Sequence, residues 1–149
     1  MTESNHASNI APPRPNLQLV PLLQKTKDLY LLWYGIYKSL PKEHRYTLGG
    51  KIDILLAEII ETISTASFLP KEVLNEKHFY VKMAIRKNDT AKIFLFILWE
   101  NKSLDIKKYS ALSEKINEIG RMLGGWSGQL FTKTIQEKQN SPAKTAEEK

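Results

Sequence analysis

The strongest constraint on the fold is a run of evenly spaced apolar residues towards the C-terminal end of the chain. Apolar side chains recur there in alternating steps of three and four residues: Tyr109, Leu112, Ile116, Ile119, Leu123, Trp126 and Leu130. Such steps place successive side chains on one side of an α-helix, whereas a β-strand repeats every two residues. The spacing therefore predicts a helix over about 105–136 that buries one face against other helices.

Three further segments have the spacing of amphipathic helices. The first runs from about Pro21 to Leu40, and its proline suits the first turn of a helix. The second runs from about Thr47 to Ser67, where Thr47 is a candidate N-cap. The third runs from about Pro70 to Asn101 and ends in an apolar stretch over 93–99. Short links between helices predict an all-α protein, an antiparallel up-down-up-down four-helix bundle over 19–136.

The same periodicity predicts which face of each helix is buried. In the first helix the face consists of Leu19, Leu22, Thr26, Leu29, Trp33, Ile36 and Leu40. In the second it consists of Leu48, Ile52, Leu55, Leu56, Ile59, Ile60 and Ile63. In the third it consists of Tyr80, Ala84, Lys87, Ala91, Phe94 and Leu98, with Asn88-Asp89 as a possible bend.

Both ends of the chain are predicted to be disordered. Residues 1–18 include the proline-rich stretch 11–15, and residues 137–149 are polar. The N-terminal segment lacks the apolar centre of a signal peptide. The stretch 93–99 is too short to cross a bilayer, which takes about 20 residues. We therefore expect no membrane association and a cytoplasmic location, which the absence of cysteine also fits.

Residue types that usually carry catalysis are scarce. Without cysteine the chain has no thiol nucleophile, zinc–thiolate site or iron–sulfur cluster. The only Glu-x-x-His is Glu3–His6, in the predicted N-terminal tail, whereas a di-iron bundle needs two such pairs facing inward. Gly49-Gly50 lacks the spacing of a phosphate-binding loop. The sequence thus predicts no cofactor, no metal and no enzyme activity.

Basic residues, in contrast, concentrate in the second half of the chain. Residues 71–140 carry 13 bases and 8 acids, in a chain whose net charge is +6. His78, Lys82 and Arg86 recur every four residues and predict a ridge along the third helix. The candidate nucleic-acid-binding residues are His78, Lys82, Arg86, Lys87, Lys92 and Arg121. Charge alone favours the alternative that these residues are simply a solvated helix face.

Assembly has stronger support than catalysis. The stretch 93–99 is apolar around the whole helix, more than one bundle can bury. The candidate interface residues are Phe94, Ile97, Trp99 and Trp126, and the alternative is that they fill the core. The helix-interior glycines Gly120, Gly124 and Gly125 predict either a close approach of another helix or a helix end.

The segment Glu118–Trp126, EIGRMLGGW, resembles the C-terminal signature of the Avd proteins, the accessory variability determinants of diversity-generating retroelements. These belong to a broader four-helix-bundle group that includes proteins encoded in intervening sequences of bacterial 23S rRNA genes. Two other segments resemble the family, LPKEHRYTLG at 40–49 and YSALS at 109–113. The resemblance covers about residues 25–130. Ser127-Gly128-Gln129 replaces the more basic ending of the family, and the proline-rich N-terminal extension is additional.

The resemblance implies a homopentamer of four-helix protomers that binds the retroelement's reverse transcriptase and its template RNA. In that setting the protein is non-catalytic and supports mutagenic cDNA synthesis. A basic pair at this point of the third helix resembles the family's, so Lys82 and Arg86 are the expected contacts. Two alternatives stay open. One is a structural oligomer of the 23S rRNA intervening-sequence type without a defined activity. The weaker one is a bundle enzyme or ligand carrier.

Overall fold

A computed structural model describes residues 20–140 and places five α-helices and no strand among them. The helices are α1 (Pro21–Tyr37), α2 (Lys42–Arg45), α3 (Leu48–Phe68), α4 (Leu74–Glu100) and α5 (Ile106–Asn140). The predicted all-α class is confirmed. The predicted N-terminal tail lies outside the described residues, as do residues 141–149.

The four long helices pack in a closed ring: α1 contacts α3, α3 contacts α4, α4 contacts α5, and α5 contacts α1. The apolar faces of the four helices meet in the middle of this ring. Trp33 of α1 is fully buried there, and its indole N–H donates to the carboxylate of Asp53 on α3 at 3.2 Å. A buried indole N–H needs such a partner. Burial raises the pKa of the neighbouring Tyr30, and the Asp53 carboxylate adds to this rise.

Two of the connections between helices contain the repeated tetrapeptide Leu-Pro-Lys-Glu. Its first copy, at 40–43, leads into α2, and its second copy, at 69–72, makes a turn before α4. The hydroxyl of Thr47 donates back to the carbonyl of Glu43 at 2.7 Å, so it does not cap α3 through its side chain. α1 ends three residues earlier than predicted, and α5 runs four residues further, to Asn140.

The predicted buried faces agree with the structure in α1 and α5, whereas in α4 three of the six predicted residues, Ala84, Ala91 and Leu98, are buried. In α1 the six predicted residues that the structure describes are all buried, and five of the seven in α5 are. The buried face of α4 consists of Leu74, His78, Val81, Ala84, Asn88, Ala91, Leu95 and Leu98. The predicted Tyr80, Lys87 and Phe94 lie beside this face and are half-buried. The helix continues through Asn88-Asp89.

The buried face of α4 differs from the predicted one in containing a polar residue, Asn88. Asn88 is 1% exposed, and its Nδ2 donates to the backbone carbonyl of Ile116 on α5 at 3.2 Å. A Cβ atom at Gly120 would lie 3.1 Å from that Nδ2. Gly120 therefore leaves room for the Asn88 amide of α4. This matches the prediction that another helix approaches closely at this glycine. Gly124 and Gly125 have no such neighbour, and α5 does not end there.

This difference between the glycines of α5 predicts opposite responses to alanine. Gly124→Ala meets no atom within 4 Å and should raise the free energy of unfolding by up to about 1 kcal/mol, because alanine favours the helix. Gly120→Ala should lose this gain, because its methyl group pushes against the buried Asn88 amide. Urea unfolding of the parent and the two variants measures the difference. Equal stabilisation by both substitutions would contradict the packing role of Gly120.

Candidate nucleic-acid interface

The outward face of α4 carries two kinds of residue, separated along the length of the helix. At about 100° per residue, Phe79, Lys82, Arg86, Ile93 and Ile97 fall within about 60° of arc. All five are exposed. The N-terminal half of this face carries both cations together with Phe79, and its C-terminal half is apolar. We call Lys82 and Arg86 the basic pair, and we call Ile93, Phe96 and Ile97 the apolar patch.

The basic pair consists of two exposed cations one helical turn apart, a rise of about 6 Å. Within residues 20–140 neither Lys82 nor Arg86 forms an ion pair. Asp89 follows on the same face, so the positive charge is confined to the two turns before it. Unpaired exposed cations remain available to neutralise phosphates and release counterions.

His78, the third residue of the predicted ridge, lies in the interior instead of on this face. It is 9% exposed, and its Nε2 lies 2.9 Å from the hydroxyl of Ser127 on α5. Burial lowers the pKa of His78, and the positive charge of Lys82 lowers it further. The imidazole is therefore neutral at pH 7 and adds no charge to the ridge. Spacing of four residues could not reveal this, because the helix turns about 40° between such positions.

The other predicted cations on α4 point away from the basic pair. The ammonium group of Lys87 forms an ion pair with Glu58 of α3, with its nitrogen on the side of α4 that faces α3. Lys92 is half-buried. A carboxylate partner satisfies the charge of Lys87 within the protein, so this lysine has less to offer a phosphate than Lys82 has.

Arg121 lies on α5 at the level of the basic pair. His78 of α4 contacts Ser127 of α5, and the later Asn88 contacts the earlier Ile116. The order of contacts is thus reversed between the two helices, so α4 and α5 are antiparallel. Lys82 and Arg86 lie between these contacts and so at the level of the segment 116–127, which includes the exposed Arg121. The nearby Glu118 accepts a hydrogen bond from Lys25 of α1 at 2.7 Å, and this bond lowers the pKa of Glu118.

Glycines leave the surface of α5 open on this side. Gly124 and Gly128 are exposed one helical turn apart, and a Cβ atom at either would meet nothing within 4 Å. At these two positions the surface of α5 therefore carries no side chain and has open space beside the backbone.

The apolar patch is the part of the stretch 93–99 that the protomer leaves exposed. The exposed fractions are 59% for Ile93, 43% for Phe96 and 41% for Ile97. Of the predicted interface residues, only Ile97 belongs to it. The half-buried Phe94 packs against the core, and Trp99 stacks on Tyr109 of α5 with ring centroids 5.2 Å apart. Ile93 and Phe96 were missed, because an all-apolar stretch carries no signal of which side faces out.

Trp126, the fourth predicted interface residue, lies on another side of the molecule. It is half-buried, packs against the core and lines a groove between α5 and the start of α1. Between Val20 and Asn140 no cluster of three or more His, Asp or Glu could hold a metal ion. None of the helices in that range combines the length and the apolar composition that a membrane span requires.

These features define a helical protein in which the outward face of one long helix carries both a basic pair and an apolar patch. A family model described as bAvd-like matches residues 20–130, and the chain belongs to this family. The bAvd-like proteins are accessory, non-catalytic proteins of diversity-generating retroelements. A comparison with curated proteins finds no match. The resemblance predicted from EIGRMLGGW is thereby confirmed at the level of the family.

The buried His78 predicts a loss of stability in mild acid. Its pKa is lower in the folded protein than the value of about 6.5 expected in the unfolded chain. As the pH falls below about 6.5, the unfolded chain therefore binds a proton before the folded protein does, and the free energy of unfolding decreases. Urea unfolding at several pH values measures this effect in the parent and in His78→Gln. The variant should lose less stability than the parent over that range, and an equal loss would contradict the assignment.

Proposed function

We propose that this protein is the accessory subunit of a diversity-generating retroelement, which assembles into an oligomer, binds the template RNA and associates with the reverse transcriptase. The bAvd-like match over residues 20–130 carries the proposal. The exposed basic pair supports the RNA contact, and the exposed apolar patch supports assembly. In this proposal the protein supplies no catalytic group. It works in the cytoplasm by binding the template RNA and the reverse transcriptase that copies it.

The protomer that this function requires is an up-down-up-down four-helix bundle. The closed ring of contacts among α1, α3, α4 and α5 supports this arrangement, as does the antiparallel packing of α4 against α5. Short connections between consecutive helices make antiparallel neighbours the expected result. The short α2 serves as part of the link between α1 and α3.

RNA binding is assigned to Lys82 and Arg86, with Arg121 of α5 at the same level. The guanidinium group of Arg86 can hold a phosphate through two parallel hydrogen bonds, while Lys82 contributes a point charge. Each protomer offers only this small cationic surface, so useful affinity depends on several copies acting together. Assembly and RNA binding are therefore linked in the proposal.

Assembly is assigned to the apolar patch, and the number of five subunits follows the family resemblance. Ile93, Phe96 and Ile97 leave apolar surface on the protomer, and contact between copies removes it from water at about 25 cal/mol per Å². The apolar patch lies on the same helix as the basic pair, so contact through one end of α4 leaves the other end available to RNA.

The first prediction of this proposal is a salt-sensitive RNA complex that depends on the basic pair. Lys82→Glu with Arg86→Glu should abolish binding of the template-repeat RNA, and milder Gln substitutions should reduce the slope of log affinity against log salt by about 2 per bound protomer. The measurement is RNA binding by the purified protein at several salt concentrations, with light scattering to verify that assembly survives.

The matched control is Lys42→Glu with Lys51→Glu, which makes the same change in net charge at exposed positions of α2 and α3. This control should retain most of the RNA affinity. If the Lys82 and Arg86 variant binds RNA as well as the parent does, the assignment of the site is wrong. If both variants lose binding equally, the effect is one of net charge and not of this surface.

The second prediction concerns assembly. Ile93→Gln with Ile97→Gln should convert the oligomer into monomers, because both side chains are exposed in the protomer and contribute little to its own core. Light scattering gives the mass, and circular dichroism verifies that the helices remain. Leu31→Gln, at a position that is 61% exposed on α1, is the control and should leave the mass unchanged. A monomeric parent protein would contradict the proposal.

The alternative function is a structural oligomer of the 23S rRNA intervening-sequence type. The exposed apolar patch fits this alternative equally well, because it needs no RNA. A reverse-transcriptase gene with template and variable repeats beside the gene for this protein favours the retroelement. Assembly without salt-sensitive RNA binding favours the structural oligomer.

A further inference from the structure

A groove beside Trp126 combines an apolar floor with a basic rim. Two adjoining cavities form it, one of about 470 Å³ between α5 and the start of α1, and one of about 460 Å³ between α5 and the start of α4. Lys77 and Trp126 line both cavities, so the two are parts of one groove. Each volume lies within the range of about 300–1,000 Å³ that small-molecule sites occupy.

The floor of the groove is aromatic and aliphatic. Trp126 is half-buried and lies between the two cavities, with Met122 beside it in the first and Leu130 in the second. The inner side of Trp126 packs against the core, which holds the indole in place. A fixed indole at the edge of a groove offers a flat surface on which a planar ring can stack.

The rim of the groove is cationic. Lys71 and Lys77 come from the start of α4 and the turn before it, and Lys133 comes from α5. Glu137 is the one acidic residue among those that line the second cavity. Within residues 20–140 none of the three lysines forms an ion pair. The rim therefore favours an anionic ligand above the aromatic floor.

The groove is separate from the basic pair. Lys77 precedes Lys82 by five residues, which places the two side chains about 140° apart around α4. No residue of the basic pair or the apolar patch lines either cavity. A ligand in the groove would therefore leave both of those surfaces free.

We propose that this groove binds one nucleotide unit, whose base stacks on Trp126 and whose phosphate lies among Lys71, Lys77 and Lys133. A nucleotide has both of the parts that the groove recognises, a planar ring and an anion. Stacking accepts every base, so the site selects an unpaired nucleotide and not a sequence. The inference rests on the proposed function and deepens it, since it adds a contact for single-stranded nucleic acid to a protein that binds RNA.

The test uses a single-stranded RNA of five nucleotides with 2-aminopurine at its centre, whose fluorescence falls when the base stacks on indole. The full-length protein should quench it. Gly125→Leu should weaken binding about tenfold, because the new side chain fills the first cavity next to Trp126. A Cβ atom at Gly125 would meet no atom of the protein within 4 Å, and thermal melting of the variant measures whether the fold survives.

The matched control is Gly35→Leu. Gly35 is an exposed helix-interior glycine of α1, has the same open space around it and lines neither cavity, so this variant should bind the RNA as the parent does. A second variant tests the rim: Lys71→Gln with Lys133→Gln, both exposed, should weaken binding and reduce its dependence on salt. Trp126→Leu should abolish the quenching, with thermal melting as the measure of folding.

The two sources of a nucleotide are separated by competition. Displacement of the RNA by ATP supports a free nucleotide as the ligand, and displacement only by unlabelled pentanucleotide supports a single strand. Equal binding by Gly125→Leu and the parent overturns the proposal. A second result also overturns the proposal: the parent binds no RNA, and Gly125→Leu changes the mass that light scattering measures. The groove is then an interface between copies of the chain.

The failure of this proposal is distinguishable from the failure of the proposed function. If the parent binds a structured RNA through Lys82 and Arg86 but does not quench the pentanucleotide, only the groove assignment fails. If the protein quenches the pentanucleotide and Lys82→Glu with Arg86→Glu does not change binding of structured RNA, the assignment of RNA binding to the basic pair is wrong. The groove assignment is then unaffected.

Discussion

The hydrogen bond from Asn88 to the carbonyl of Ile116 fixes how α4 sits in the protein. A buried amide N–H without a partner is costly, so this bond favours the rotation and the register of α4 that bring Nδ2 of Asn88 to this carbonyl, while Oδ1 of Asn88 has no partner among residues 20–140. Gly120 permits the approach by having no side chain. With Asn88 pointing inward, Lys82 and Arg86 lie about 120–160° away around the helix and point outward. A polar contact in the core thus determines which charges reach the surface.

The surface that results is more selective than the count of basic residues suggests. His78 is buried and neutral, Lys87 is paired with Glu58, and Lys25 is paired with Glu118. These three residues stabilise contacts between helices. The basic pair is left as the exposed cationic part of the outward face of α4. The net charge of +6 is therefore a poor guide to where an anion binds, because it does not distinguish lysines that are paired with carboxylates from cations that are exposed without a partner.

Much of the fold could be predicted from the sequence, since strict steps of three and four residues specify both a helix and its buried face. That reasoning succeeded for α1 and α5, where the buried residues are apolar. It succeeded only in part in α4, where Ala84, Ala91 and Leu98 are buried as predicted but Asn88 occupies the core position that the spacing assigns to the neighbouring Lys87. Of the three glycines of α5 for which the sequence predicts a close approach or a helix end, only Gly120 packs against another helix. The family was predicted from a nine-residue segment, Glu118–Trp126, and the match over residues 20–130 confirms it.

The candidate site could be predicted only in part, for physical reasons. Spacing identifies residues that share a side of a helix, and it found Lys82 and Arg86, but it carries no information on burial or on ion pairs across helices. The apolar stretch 93–99 gave no preferred side, so Ile93 and Phe96 were missed. The groove beside Trp126 joins residues from α1, α4 and α5, and no local pattern in the sequence brings those together.

The division of the α4 surface along its length has a consequence for how the protein can change. Arg86 and Ile93 are seven residues apart, a rise of about 10 Å, and substitutions at such a distance usually have additive effects. Selection can therefore adjust the two ends of the helix one at a time. One set of substitutions could change the apolar residues, and so the geometry between subunits, while the cations stay the same. Another set could change the cations to suit a different nucleic acid while the contacts between subunits stay the same. Placing the two surfaces around the same turn would have tied these changes together.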